Sequence, residues 1–215
     1  MKPFKAILIF GILLTSVYSC NHKEKKEDSS SKPGNKQDSV TLQQQESMTN
    51  PYAQIDISPM DMSYFPDDYP KLKMANAQIA PPFARVIYSR PHLQGRELFR
   101  DILKYGERWR LGANEATELH LYQGATINGK KIKPGRYVLN CIPYPDKWAI
   151  ILNTNIDSWG LKPDSTKDIA QFEVPVIRTN RHLEYFTLVF EKKEGGANLL
   201  MAWDNLEARL PIDMP

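Results

Sequence analysis

Polar and apolar residues alternate along most of the chain from about residue 79 onward. The segment TELHLY, residues 117–122, has the two-residue period of a strand with one buried face. Turn signals separate such segments: Asn128-Gly129 favours a two-residue hairpin, and Pro134-Gly135 favours a type II turn. We therefore predict an all-β fold, a mainly antiparallel β-sandwich or jelly roll. The predicted strands cover residues 84–89, 117–122, 136–142, 148–153, 170–177, 184–191, 198–204 and 206–210.

One segment departs from this alternation and has the period of a helix. Four of its apolar residues are spaced three or four apart along the chain: Leu98, Phe99, Ile102 and Leu103. We predict one short helix near residues 97–105. Gly106 follows it, and glycine commonly ends a helix in the left-handed conformation. The sequence therefore predicts that Gly106 is the C-terminal cap.

The first 19 residues have the pattern of a signal peptide. Lys2 and Lys5 give a basic start, and residues 6–17 are almost entirely apolar. This run is too short to span a bilayer comfortably, which takes about 20 residues. An aliphatic residue, a small residue and then Cys20 follow in the arrangement of a lipidation signal. We expect cleavage before Cys20 and a lipid anchor on that cysteine.

Residues 20–50 combine the anchored cysteine with a polar tether. Only three residues between positions 21 and 50 are apolar, and the five lysines balance five acidic residues. Such a segment buries too little surface to offset its conformational entropy, so we expect disorder. The charged cluster at residues 23–28 has two interpretations that remain open, a signal for display at the cell surface and a simple solvated tether.

Residues 51–77 contain four prolines and several aromatic residues. Proline breaks regular hydrogen-bonded ladders, but the apolar content is too high for a free linker. We predict a proline-rich arm packed on the domain, with one strand near residues 54–57. The β-sandwich domain itself is expected to cover residues 78–215.

Composition and charge exclude several classes of protein. The chain has 215 residues, 41% of them hydrophobic and 25% charged, as in an ordinary globular protein. The net charge of +3 includes Lys2 and Lys5, so the chain from Cys20 onward carries +1. No element has a dense cluster of lysine and arginine, and we predict no nucleic-acid partner. With Cys20 lipidated, Cys141 has no partner for a disulfide, and we expect it to be a small core residue.

No motif of a known catalytic site is present. The sequence lacks a nucleophile elbow, a phosphate-binding loop, paired cysteines and a His-Glu-x-x-His segment. The histidines beyond the tether, His92, His120 and His182, lack the spacing of metal ligands. We therefore predict no metal and no cofactor, and we leave enzymatic activity uncertain, with the balance against it.

The segment 88–117 is the densest in polar and aromatic groups. Arginine presents a planar fork to carboxylates and phosphates, and tryptophan presents a flat apolar face. The segment could line a pocket for a small anionic or sugar-like ligand. Two alternatives stay open: an Arg110–Glu115 pair that ties down a loop, and Trp109 as a core residue. The candidate ligand-binding residues are Arg90, Arg96, Trp109, Arg110, Asn114 and Glu115.

At this segment the sequence resembles a bacterial family known as domain of unknown function 2911. The blocks that carry the resemblance begin with YSRP (88–91), GR (95–96), YG (105–106), WR (109–110) and GANEAT (112–117). Later blocks follow in order: TINGK (126–130), PGRY (134–137), WAIILN (148–153), WG (159–160) and LMAW (200–203). The resemblance covers about residues 78–212. It implies an exported, often lipid-anchored β domain and brings no activity.

Three functional hypotheses follow. The first is a binding or structural module of the bacterial envelope, lipid-anchored at the outer membrane on its periplasmic or surface face. The second is a glycan-directed hydrolase that uses paired carboxylates, either Glu115 with Glu118 or Asp101 with Glu107. The third is assembly with another envelope protein, which requires an exposed apolar patch.

Overall fold

The computed structural model of the protein describes residues 56–215. The strands in this part are β1 (Met60–Phe65), β2 (Ala84–Ser89), β3 (Glu118–Leu121), β4 (Ala125–Ile127), β5 (Lys130–Ile132), β6 (Gly135–Pro143), β7 (Lys147–Asn153), β8 (Asp168–Lys193) and β9 (Gly196–Asp213). Helix α1 spans Tyr69–Ala75, and short helical turns span Leu98–Ile102 and Ser165–Lys167. The predicted signal peptide, the predicted lipidation site Cys20, the predicted tether and residues 51–55 of the arm, which include half of the strand expected at 54–57, lie outside the described residues.

The strands form a nine-stranded antiparallel sheet in the order β1-β2-β3-β6-β7-β8-β9-β4-β5. The 26-residue strand β8 belongs to two layers. Its first part pairs with β7, and its second part, from Val176 onward, pairs with β9. The predicted all-β, mainly antiparallel fold is therefore confirmed.

The sheet curls until its first strands lie beside the second half of β8. Beyond β2, the backbone N–H of Leu93 donates to Glu184 O at 3.1 Å, and the N–H of Phe186 donates to Pro91 O at 2.9 Å. The N–H of Phe190 donates to the Ser63 side chain of β1 at 3.2 Å. Both layers thus enclose a hydrophobic core.

The core has the alternation expected of strands with one inward face. Inward positions of β7 include Trp148 and Ile150, which are fully buried, and Trp203 of β9 is fully buried as well. Cys141 lies on the inward face of β6 with no exposed surface, which confirms it as a core residue. Burial raises the pKa of its thiol well above the ordinary value. This cysteine is therefore a packed thiol held in its neutral form.

The predicted strands are found, with two mergers. Predicted strands 170–177 and 184–191 are one continuous strand β8, and 198–204 and 206–210 are one strand β9. The polar residues between them looked like a loop, but the backbone stays extended there. Its register shifts between Arg178 and Leu183, which leaves the polar side chains exposed. The Asn128-Gly129 hairpin forms as predicted, with φ of 47° and 81°.

The helical segments differ from prediction in detail. A helical turn lies at Leu98–Ile102, inside the predicted range, but the C-cap assigned to Gly106 is wrong. The turn ends at extended Leu103, whose N–H donates to Leu98 O. Gly106 has φ +78° in the next turn. No helix within residues 56–215 is long and apolar enough to cross a membrane.

The arm also differs from the sequence-based expectation. Ile57 lies in a bend, and the strand of this region is β1, which starts at Met60 and pairs with β2. Helix α1 was not anticipated, because its sequence YPKLKMA is short and none of its residues is buried. Phe65 at the end of β1 reaches the core. Pairing with β2 and burial of Phe65 therefore decide where this strand forms.

Candidate functional site

Residues 103–117 run beside β6 and extend the sheet where β3 has not yet begun. Trp109 and Cys141 exchange two backbone hydrogen bonds of 2.7 and 2.8 Å, and Leu139 N–H donates to Thr117 O at 2.8 Å. Gly112 is required by close packing, since a Cβ there would lie 2.9 Å from the Thr117 hydroxyl oxygen. This hydroxyl donates to Leu111 O at 2.6 Å. The loop is thus fixed to the sheet rather than free.

A cleft of about 390 Å³ opens beside this loop. Buried Trp203 lies at its base, and Trp109 stacks on it with ring centroids 5.7 Å apart. Trp109 also packs edge-on against Phe186 at 4.9 Å. Trp109 is therefore both a core residue and part of the cleft surface, so the two interpretations made from sequence are not exclusive. The other polar and apolar lining includes Ser58, Pro91, Arg96, Ile102, Leu103, Arg108, Arg110, Ala113, Gly160 and Leu161.

Three arginines line this cleft, and two of them, Arg108 and Arg96, differ in their hydrogen-bond partners. Arg108 forms a two-pronged ion pair with Asp168, with distances of 2.7 and 2.8 Å. Its guanidinium holds the pKa of Asp168 below the usual value. Arg96 instead donates to two backbone carbonyls, Leu93 O at 2.9 Å and His92 O at 2.8 Å. It has no carboxylate within 4.0 Å among residues 56–215, and its charge contributes only as the smallest of the causes that lower the pKa of Asp101.

Arg110 is the third arginine of the cleft and is also unpaired. Within the described part of the chain, its guanidinium makes one hydrogen bond, a long one of 3.4 Å that it donates to the backbone carbonyl of Trp159. It lies over the Trp159 ring at 6.0 Å from the centroid. Partial burial lowers its pKa, with a smaller opposing effect from Glu115. A partly desolvated cation without a carboxylate partner is well suited to an anionic ligand.

The structure brings three of the six predicted residues, Arg96, Trp109 and Arg110, to this cleft. Two of the others hold the arm instead. Arg90 forms an ion pair with Asp61 of β1 at 3.3 Å. The Asn114 amide contacts Asp56 and donates to Ser58 O at 3.4 Å. Neither Arg90 nor Asn114 lines the cleft.

Glu115, the sixth residue, lies in a separate groove of about 270 Å³ together with Glu118 and Asp157. Glu118 is committed to other contacts, because it accepts from Arg136 at 2.6 Å and from the Asp157 N–H at 3.0 Å. Glu118 therefore has a structural role, whereas Glu115 has no hydrogen bond or ion pair among residues 56–215 and lines the same groove.

The alternative carboxylate pair is also engaged in other contacts. Asp101 accepts from Arg100 at 2.9 Å and from the N–H of Glu97 at 2.8 Å. The Arg100 hydrogen bond is the main cause of its lowered pKa, so Asp101 stays ionised. Glu107 lies 3.5 Å from Lys104. In each proposed pair, one carboxylate is thus already bonded to an arginine, Glu118 to Arg136 and Asp101 to Arg100.

Sequence reasoning missed several residues that complete the cleft. Trp203 comes from β9, and Gly160 and Leu161 come from the loop after β7, where the neighbouring Trp159 contacts Arg110. Trp159 and Leu161 are 54% and 69% exposed and form an apolar rim beside Arg110. Distance along the chain hides their proximity. Their only sequence signal was that both WG and LMAW belong to the family blocks.

The three histidines in the part of the chain that the structure describes lie in different surroundings. No group of three or more potential ligands converges anywhere in residues 56–215. His182 Nδ1 lies 2.7 Å from Asp204, and His92 stacks on Tyr185. Burial and, to a lesser extent, nearby arginines lower the pKa of His120. These three histidines are therefore separate from one another, with His182 exposed and His92 and His120 partly buried.

A family model described as "Protein of unknown function (DUF2911)" matches residues 71–212. This is the family suggested by the sequence blocks. No curated protein and no solved structure matches the chain.

Proposed function

The chain belongs to this family of unknown function, and from that premise we propose that it is a lipid-anchored binding module of the bacterial envelope. The cleft lined by Arg96, Arg108 and Arg110, called the arginine cleft below, is proposed to bind a small ligand that carries an anionic group. The observation that carries the proposal is the pair Arg96 and Arg110, which reach one cleft without a carboxylate partner in the described residues.

The physical argument concerns the cost of unpaired charge. A cation that is partly desolvated loses hydration, and an anion that reaches it regains a charge-assisted hydrogen bond. Arg96 is already held in place by two carbonyls, so little side-chain entropy is lost when a ligand binds. The tryptophan surfaces of the cleft and rim favour a ligand that also has an apolar or sugar-like face.

A thermal-shift screen of the full-length chain in detergent tests the proposal. The probes are acetate, citrate, galacturonate and, as the uncharged counterpart, galactose. A ligand that binds only the folded state raises the melting temperature with concentration. We expect shifts with anions and none with galactose. Arg110→Gln should remove the shift, whereas Lys162→Gln, an exposed lysine that does not line the cleft, should keep it.

The outcomes discriminate between the remaining hypotheses. A shift that survives Arg110→Gln places binding elsewhere and overturns the cleft as the site. No shift with any anion overturns the small-ligand proposal and favours a structural role or assembly with an envelope protein, for which pull-down from crosslinked cells is the next measurement. No specific contact supports the hydrolase alternative.

The lipid anchor rests on the sequence alone. We propose that Cys20 carries it, because an apolar run of signal-peptide size precedes this cysteine. Cys20→Ser should move the chain from the membrane fraction to the soluble fraction and abolish incorporation of labelled palmitate. Cys141→Ser is the matched control, since Cys141 is buried in β6 and should not affect fractionation. Membrane retention of Cys20→Ser would contradict the anchor.

A further inference from the structure

A second cleft, of about 490 Å³, adjoins the arginine cleft. Arg96 lines both, and the neighbouring residues Trp203 and Asp204 of β9 line one cleft each. The helical turn Leu98–Ile102 contributes residues to both sides. The two clefts are therefore halves of one longer groove with Arg96 at their junction.

The second half contains an aromatic platform. Phe99 and Tyr105 stack with ring centroids 4.0 Å apart and planes inclined by 16°. Tyr105 remains 41% exposed, and both rings line the cleft. An exposed ring that is held flat by a second ring offers an apolar face with little entropy left to lose on binding. Such a face covers the C–H side of a sugar ring.

The charges of the second half favour a ligand with both anions and hydroxyl groups. The Arg178 guanidinium bonds to the Asn205 amide oxygen at 3.3 Å and has no carboxylate within 4.0 Å in the described residues. Carboxylates also line this cleft. Glu97 pairs with Arg100 at 2.6 Å, and Asp204 lies 2.7 Å from His182, which leaves acceptor capacity on both.

We propose that the groove binds an acidic glycan chain, with a uronate carboxylate in the arginine cleft and further sugars that pass Arg96 onto the Tyr105 platform near Arg178. This inference rests on the proposed function and names its ligand class. A polyphosphate would place dense negative charge against Glu97 and Asp204, whereas a uronate chain carries one anion per sugar and offers hydroxyl donors to those carboxylates.

Calorimetric titration of the full-length chain in detergent with galacturonate, its dimer and its hexamer tests this inference. The hexamer is expected to bind at least about tenfold more tightly than the monosaccharide, because it engages both halves of the groove. Arg178→Gln and Tyr105→Ala should each abolish the gain and leave monosaccharide binding unchanged. Tyr105→Phe should retain the gain, since it keeps the stacked ring.

Matched controls lie close in the structure. Arg181→Gln removes an exposed arginine three residues beyond Arg178 in β8, and Tyr144→Ala removes an exposed tyrosine from the β6–β7 turn, but neither residue lines the groove. Both controls should bind the hexamer like the parent chain. Equal melting temperatures of variants and parent in the absence of ligand exclude loss of the fold.

The possible failures are distinguishable. A hexamer that binds no more tightly than galacturonate overturns the extended groove and leaves the small-anion site standing. Binding of citrate without any binding of galacturonate overturns the glycan class. The glycan class is also overturned if hexametaphosphate, an oligonucleotide or hexaglutamate binds more tightly than the galacturonate hexamer. If no anion binds at all, the proposed function itself fails.

Discussion

Asn140 is a buried polar residue without compensation in the described part of the chain. It is 1% exposed, faces Ile151 of β7, and neither amide atom has a hydrogen-bond partner within residues 56–215. Such a group costs about 1–3 kcal/mol. Asn140→Leu should therefore raise the free energy of unfolding in urea by roughly 1 kcal/mol or more. Asn153→Leu is the control, because that buried amide is bonded to Asp164 and Asp168 at 2.8 and 2.7 Å and should lose stability. A loss of stability in both variants would contradict the prediction.

Tyr88 sets a limit on stability at alkaline pH. It is 2% exposed, and burial is the main cause that raises its pKa from 10.0 to about 12. Below pH 10 the neutral ring is retained in both the folded and the unfolded chain. Between pH 10 and 12 only the unfolded chain ionises, so about 3 kcal/mol of stability is lost across that window.

Tyr88→Phe should flatten the alkaline part of the stability curve, measured by urea unfolding from pH 8 to 12. The exposed Tyr144 provides the control, since Tyr144→Phe should leave the curve unchanged. Part of the alkaline loss should remain in Tyr88→Phe, because burial also raises the pKa of Tyr137. If the free energy of unfolding falls with the same slope in the Tyr88→Phe variant and in the parent chain, the Tyr88 hydroxyl ionises in the folded state as it does in the unfolded state.

The β8–β9 hairpin depends on two glycines for different reasons. Gly195 has φ +70° with open space around it, so Gly195→Ala should cost only the backbone strain, about 1–2 kcal/mol. A Cβ on Gly196 would lie 2.1 Å from the backbone carbonyl oxygen of Ile212, which is near the other end of β9. Gly196→Ala should therefore cost more than Gly195→Ala, since β9 must shift. Urea midpoints of the two variants measure this order, and the reverse order would contradict the hairpin geometry.

Strand positions could be predicted because each strand has its own alternation and turn signals. β2 and the Asn128-Gly129 hairpin match the sequence-based boundaries closely. The merged strand β8 could not be predicted, because its polar stretch at 178–183 has the composition of a loop, although the backbone stays extended there across a register shift against β9. Helix α1, with no buried residue, has no apolar period to reveal it.

The candidate site could be predicted only in part, for a related reason. Arg96, Trp109 and Arg110 meet in one cleft because the loop pairs with β6, so Trp109 faces the core. Asn114, only four residues beyond Arg110, holds the arm. Trp203 lines the same cleft, although it lies 94 positions after Trp109 in the sequence. Which side chains converge is decided by the pairing register of strands, and that register depends on packing across the whole core.

At the scale of the whole molecule, β1 joins the arm to the sheet. It is an edge strand paired with β2, and Phe65 packs against Phe83 and Phe190 at centroid distances of 6.1 and 6.3 Å. The family match begins at residue 71, after β1. The core of this chain therefore includes a strand that lies before the matched segment.

Removal of residues 1–77 should consequently destabilise the domain, whereas removal of residues 1–55 should not. Loss of Phe65 from the core alone costs about 1.5–3 kcal/mol, and loss of β1 frees the backbone N–H and C=O groups along β2. An unpaired strand edge recruits other strands, so the shorter chain should also self-associate. Urea unfolding and size-exclusion chromatography of both chains measure these effects. If the chain from residue 78 unfolds at the same urea concentration as the longer one and remains monomeric, β1 is an accessory to the domain, and the fold that carries the arginine cleft is stable without the arm.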